Sequence, residues 1–205
     1  MDLWRRPAIL VAITAVLMLA GGLAAGWAIG SAAPGDDSPE AGFYRDMQTH
    51  HQQAVEMAMY EWRNGHDESM RSIAYDIATA QSAEIGMMRS ALREWGVQMT
   101  SGDLMGWVDE QHAAEMIEAD GLMAGMATDE EMNEFKTLTG TDSDIAFANM
   151  MIDHHIGGIA MAEVYLDLGD DPVVTDAAKR MVQVQRTEIE AMEAHLDRIE
   201  SNIGA

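Results

Sequence analysis

The stretch that decides the fold is FANMMIDHHIGGIAMAE, residues 147–163. Its apolar residues recur at the 3.6-residue spacing of a helix, and no strand-like alternation interrupts them. Two adjacent histidines sit on that otherwise apolar face. FYRDMQTHHQQAVEMAM, residues 43–59, repeats the arrangement. The pairing extends well beyond these segments. Displacing the chain by 104 residues lays Phe43–Gly96 on Phe147–Glu200 without a gap, and fourteen of the 54 positions are identical. The matches include Phe43/Phe147, Met47/Met151, both His pairs, Met57/Met161, Gly65/Gly169, Asp67/Asp171, Gln81/Gln185, Glu84/Glu188 and Met88/Met192.

Each copy reads as helix–turn–helix. Gly65 and Gly169 occupy the place of a left-handed residue that ends a first helix. Asp67 and Asp171 follow as N-caps, and Pro172 stands at a first helical position, where a missing N–H is harmless. The periodicity predicts helices over about 41–64, 67–96, 143–168 and 172–201. Short turns make each pair an antiparallel hairpin, and two hairpins make an all-α four-helix bundle over 41–201. Repeat one is 43–96 and repeat two 147–200. The crossover between them, 97–142, carries a helical stretch near 107–119 and a short helix announced by the capping box Thr128–Glu131. His112 in this crossover has no matched partner and reads as a surface residue.

Before the bundle, residues 8–29 contain no charge, with Arg5 and Arg6 ahead and Asp36 and Asp37 behind. At ~1.5 Å per residue this run spans a ~30 Å hydrocarbon core. Residues 1–33 are therefore expected to be a membrane anchor or signal peptide, with 34–40 as linker. The run exceeds the ~7–15 residues of a usual signal h-region, which favours an uncleaved helix in the cytoplasmic membrane. The arginines orient it N-terminus inside, bundle outside. Cleavage after Ser31-Ala32-Ala33 would instead give a secreted or periplasmic domain.

Beyond residue 33, 34 acids face 10 bases. Such a surface repels phosphates and excludes nucleic acid as a partner, while it concentrates cations. The chain has no cysteine, so disulfides and thiolate metal sites are excluded. Methionine occurs 19 times, 17 of them beyond residue 33. Met fills cores and is also a soft ligand.

Stepping alternately by four and three gives the inward stripe of each helix. The first reads Phe43, Met47, His50, Ala54, Met57, Glu61, and the third Phe147, Met151, His154, Gly158, Met161, Tyr165. The second reads Ile77, Gln81, Glu84, Met88, Ala91, Trp95, and the fourth Met181, Gln185, Glu188, Met192, His195, Ile199. His51 and His155 stand ~100° further round. They would complete the cluster from its flank or face a neighbouring helix. A Leu at each polar seam position would contribute ~1.5–3 kcal/mol of burial, so the polar set needs a reason. One reading is a hydrogen-bonded network that fixes helix register. The other is a metal site, where imidazole and thioether without thiolate favour copper, especially Cu(I), ahead of zinc or iron. Its candidate ligands are His50, His51, His154, His155, Met47, Met57, Met151, Met161, Glu84, Glu188, Met88, Met192 and His195. No Glu-x-x-His occurs on any helix, so a carboxylate-bridged di-iron oxidase lacks its ligands. No serine or cysteine nucleophile constellation is present, and the expected role is binding rather than catalysis.

MMIDHHIGGIAMAE, the preceding MAGMATDEEMNEFKTLTGTDSDIAFAN and the earlier MQTHHQQAVEMA resemble the family catalogued as domain of unknown function 305, over about residues 41–200. The doubled M-x-x-H-H-x(5)-M pattern, each followed by Q-x-x-E, carries the likeness. The resemblance implies a ferritin-like four-helix bundle, exported or membrane-anchored. In CopM-like members it also implies copper binding through Met and His, which maps here to Met47, His50, His51, Met57, Met151, His154, His155 and Met161.

Overall fold

The computed structural model describes residues 33–203. The expected anchor lies, but for its last residue, outside them. Among the described residues no helix is long and apolar enough to cross a membrane. Six helices are described: α1 (Pro39–Asn64), α2 (Glu68–Trp95), α3 (Glu110–Met116), α4 (Asp129–Phe135), α5 (Thr141–Leu168) and α6 (Pro172–Ile203). The four long ones begin and end within two residues of expectation.

Local chemistry sets their ends. Ser38 Oγ accepts from Ala41 N, with Pro39 opening α1. The Asp67 carboxylate accepts from Ser69 N and Met70 N at the start of α2, and Asp171 does the same for Val173 N and Val174 N ahead of α6. Thr128 and Glu131 close the expected capping box of α4. Gly65 and Gly169 depart from expectation. Both are extended, with φ −67° and −85°. Their lack of a side chain serves close approach instead. A Cβ on Gly65 would strike the Glu61 carboxyl, and one on Gly169 the Tyr165 ring. The left-handed helix end is Gly96, at φ 73° after α2.

α1 packs on α2 and α5 on α6, giving two hairpins. The hairpins meet chiefly through α1 and α5. These two run antiparallel. Phe43 near the start of α1 stacks on Tyr165 near the end of α5 at 4.6 Å, and Ser143 Oγ donates to Glu61 Oε2 at their opposite ends (2.6 Å). All four long helices contribute to two apolar clusters. One holds Phe43, Met47, Met88, Leu92, Met161, Tyr165 and Met181. The other holds Met57, Met70, Ile77, Phe147, Met151, Met192 and Ile199. Between them along α1 and α5 lies a polar layer, which is the candidate site.

The crossover is tied down at two places. Asp46 is buried on α1, where its carboxylate accepts from Ser101 Oγ (2.6 Å), Met105 N (2.9 Å) and Trp107 Nε1 (2.9 Å). Gly42 is bare because the Trp107 side chain lies on it. Further on, Gln53 makes a reciprocal pair with the backbone of Ala127, donating to its O and accepting from its N, both at 2.7 Å. This pins residues 123–127 across α1 and α5.

Candidate metal centre

The M-x-x-H-H unit puts its histidines on two sides of the same helix. His50 and His154 take the seam, and both are buried. Their rings meet at 3.8 Å between centroids, tilted by 37°. His154 Nε2 donates to the carbonyl of His50 (3.0 Å). The equivalent atom of His50 donates across to the carbonyl of Ala124 in the crossover (3.1 Å). The pseudo-symmetry breaks there. Gly157 has no Cβ, which would collide with the same Ala124 carbonyl, and Gly125 at φ +74° lies against the backbone of Asp153 and His154.

His51 and His155 turn to their hairpin partners. His51 Nε2 bonds Glu84 Oε2 at 2.9 Å and His155 Nε2 bonds Glu188 Oε2 at 2.7 Å. The sequence places Glu84 and Glu188 in the seam. In the structure they stand at its edge, with side chains 24% and 18% exposed, while both imidazoles are fully buried. A polar seam residue is drawn toward water when its partner lets it bridge the boundary.

Carbonyl and carboxylate oxygens only accept, so each of the four Nε2 atoms carries a hydrogen, and a neutral ring then has its lone pair at Nδ1. Nδ1 of His50, His51 and His155 is buried without a hydrogen-bond partner among the described residues, as are Oε1 of Gln81 and of Gln185. Three of these five atoms are imidazole nitrogens, and each such buried orphan calls for an explanation. Gln185 reaches the layer beside the bare Cα of Gly158. A Cβ there would lie 2.7 Å from Gln185 Oε1 and 3.3 Å from His50 Cε1. Burial, and then the neighbouring His51, push the His50 imidazole down to about 3. Burial also holds His154 well below the usual histidine range, with His50 the next cause. Both rings are neutral.

The thioethers flank this layer. Met47, Met88 and Met161 belong to one apolar cluster, and Met57, Met151 and Met192 to the other. His195 is not brought to the layer. Its Nδ1 accepts from Arg198, which bonds Asp67 at the head of α2. His112 is exposed beside Asp109, as expected. Among the described residues no group of three or more His, Asp or Glu side chains is disposed to hold a metal ion. A mixed His/Glu centre is therefore not preassembled, because both carboxylates are engaged by His51 and His155. Sequence reasoning missed the role of Ala124, whose backbone acceptor has no letter, and of Gln53. It also missed Glu40 and Asp144, buried acids that are themselves 104 residues apart but fall outside the matched windows.

The comparisons bear on this arrangement. The family described as "Domain of unknown function (DUF305)" matches residues 40–196. Among solved structures, a DUF305 protein from Streptomyces coelicolor, described as secreted, is 37% identical. The match covers 80% of this chain and 95% of that one, with a TM-score of 0.72. A DUF305 fragment from Deinococcus radiodurans is 30% identical over 80% and 99%, TM-score 0.65. CopM in its Cu(II)-bound form shares the fold at 21% identity over 78% and 97%, TM-score 0.60. No curated protein matches the chain.

Proposed function

The chain belongs to the DUF305 family, and from that premise we propose that it is a non-enzymatic copper-binding protein of the cell envelope, with a ferritin-like four-helix bundle held outside the membrane by residues 1–33. The observation that carries this reading is the set of Nε2-tethered imidazoles whose Nδ1 atoms are buried without a hydrogen-bond partner among the described residues. Metal-binding histidines typically donate their other ring N–H to a carbonyl or carboxylate, which fixes the tautomer and raises the basicity of the ligating nitrogen. With Glu84 and Glu188 so engaged, the donors left in the interior are imidazole nitrogen, thioether sulfur and the amide oxygens of Gln81 and Gln185. That set is uncharged and mostly soft. It suits Cu(I), gives zinc little advantage and offers magnesium or calcium too few oxygens.

His50, His51, His154 and His155 would hold the ion, with Met47 and Met161 on one side of the layer and Met57 and Met151 on the other. The neutral state of His50 and His154 leaves no proton to displace at neutral pH. The acidic exterior would raise the local concentration of cations. The relative CopM is described in a Cu(II)-bound form and the Streptomyces relative as secreted. The first supports a role with copper and the second a place outside the cytoplasm.

The second reading, a purely structural polar layer, rests on the saturation of all four Nε2 atoms. Titrating the purified protein with Cu(I), Cu(II), Zn(II) and Fe(II) separates the two. A metal at a hundred times its dissociation constant stabilises the native state by about 2.7 kcal/mol. Copper should raise the melting temperature most, and His50→Ala or His154→Ala should abolish the rise. A copper response that survives both substitutions, or none at all, defeats the proposal.

A further inference from the structure

The two ends of the α1–α5 contact are built on one plan with different chemistry. At one end the Tyr165 ring lies over the bare Cα of Gly169. Its hydroxyl donates to Glu40 Oε1 (3.4 Å), which also accepts from Asp170 N (3.2 Å). An acid at the head of one hairpin thus holds the turn of the other, with a phenol between them. At the opposite end the positions related by 104 residues are Glu61, Gly65, Asp144 and His66. Asp144 Oδ1 accepts from His66 N (2.9 Å) and Asp67 N (3.1 Å), just as Glu40 holds the other turn. Over the bare Cα of Gly65 lies the Glu61 carboxyl, in the place of the phenol.

Tyr165 supplies a hydrogen to its acid, and an ionised Glu61 would have none to supply. Glu61 and Asp144 are both fully buried. Glu61 Oε2 accepts from Ser143 Oγ, but Oε1 finds no donor among the described residues and shares the space over Gly65 with Asp144 Oδ1. Two carboxylates so placed repel each other unless a proton stands between them. We propose that Glu61 is a neutral carboxylic acid donating its proton to Asp144, so that the pair forms a proton-dependent clasp between the two hairpins.

The surroundings agree. Burial first, and then Asp144, push Glu61 up from 4.5 to about 8. The charged groups around it are Asp144 on α5 and Arg71 on α2. Arg71 opposes the shift but spends its Nε–H on the Trp62 carbonyl. In the turn, Asp67 is occupied by the α2 N-terminus and by Arg198 of α6, and His66 takes part through its backbone N–H. The folded chain holds a proton here that the unfolded chain releases above about 4.5, so the clasp's contribution is complete below that pH. It declines as pH rises and is gone beyond about 8. The Tyr165–Glu40 end stays shut over the same range, because burial pushes that phenol further up.

The test compares urea unfolding of the full chain and of Glu61→Gln between pH 5 and pH 9, without added metal. Glutamine keeps a donor but cannot titrate. The folding constant of wild type relative to Glu61→Gln should fall by up to about tenfold per pH unit across the window. Parallel pH profiles overturn the clasp. Should Glu61→Gln fail to fold, Glu61→Tyr transplants the chemistry of the other end and should flatten the profile in the same way. Infrared spectra of the unmodified protein provide a check that needs no substitution. A buried carboxylic acid C=O band at pH 6 that vanishes by pH 9 supports the clasp, and its absence at pH 6 overturns it.

Discussion

His50 and His51 are neighbours in sequence with unlike surroundings. One faces a second imidazole and a backbone carbonyl, the other a carboxylate at the edge of water. What His51 needs from Glu84 is an acceptor for Nε2–H, and an amide oxygen supplies that without charge. Glu84→Gln should therefore change stability by less than about 1 kcal/mol in the metal-free protein. Glu84→Ala should cost about 1–3 kcal/mol, because it strands a buried N–H. The same contrast should hold at Glu188. The carboxylate's charge matters once a metal is bound, since it makes Nδ1 a stronger donor. Copper affinity should drop by about 10-fold or more in Glu84→Gln. Unfolding midpoints give the first comparison and competitive copper titration the second. An amide variant with undiminished affinity would mean that His51 does not ligate.

At the scale of the elements, most of the architecture can be read directly from residue types. Every stripe position of α1 and α5, from Phe43 to Glu61 and from Phe147 to Tyr165, is buried in the structure. Caps at Asp67, Asp171 and Thr128 are equally plain, because capping is a contact between residues two or three apart. What escaped was set by contacts across elements or by backbone atoms. Gly65 and Gly169 look like left-handed ends. Their cause is the side chain one turn back, Glu61 or Tyr165, lying over them. Glu84 and Glu188 share a stripe with the seam, yet the hairpin partner reaches them from its flank. The carbonyl that holds His50 belongs to Ala124, in a crossover whose course no periodicity encodes. Two adjacent glycines in α5 make the difference testable. Relieving a helical glycine gains about 0.5–1 kcal/mol. At Gly158 a methyl meets side chains alone, chiefly the movable end of Gln185 and then His50 Cε1 at 3.3 Å, and repeat one carries Ala54 at that place. Gly158→Ala should stay within about 1 kcal/mol of wild type. At Gly157 the obstacle is backbone, and overpacking costs about 1–3 kcal/mol. Gly157→Ala should unfold at clearly lower urea, its crossover pushed off His50. Equal midpoints for the two variants would mean that residues 123–127 do not press on α5.

Across the whole molecule the dominant electrostatic fact is a net charge of −23. Among the described residues few ion pairs form at the surface. They include Lys136–Glu56, Arg186–Glu163, Arg180–Asp176 and Arg198–Asp67, each worth about 0–1 kcal/mol. Salt weakens these attractions, and it also weakens the repulsion among unpaired carboxylates spread over the helices. Repulsion should win, because with 35 acids against 12 bases most carboxylates have no base to pair with. Folding brings those charges together, so the native state gains more from screening than the extended chain does. Raising monovalent salt from about 0.01 M to 1 M shortens the screening length from about 30 Å to 3 Å. The urea midpoint should rise over that range, most steeply at the low end, where the Debye length falls below the spacing of the surface charges. The interior layer should respond far less to the same change, since its bonds are short and its imidazoles are fully buried. Salt should therefore stabilise Glu84→Gln and wild type by similar amounts. A midpoint that falls with salt would mean that specific surface pairs, rather than collective repulsion, govern the stability of this bundle.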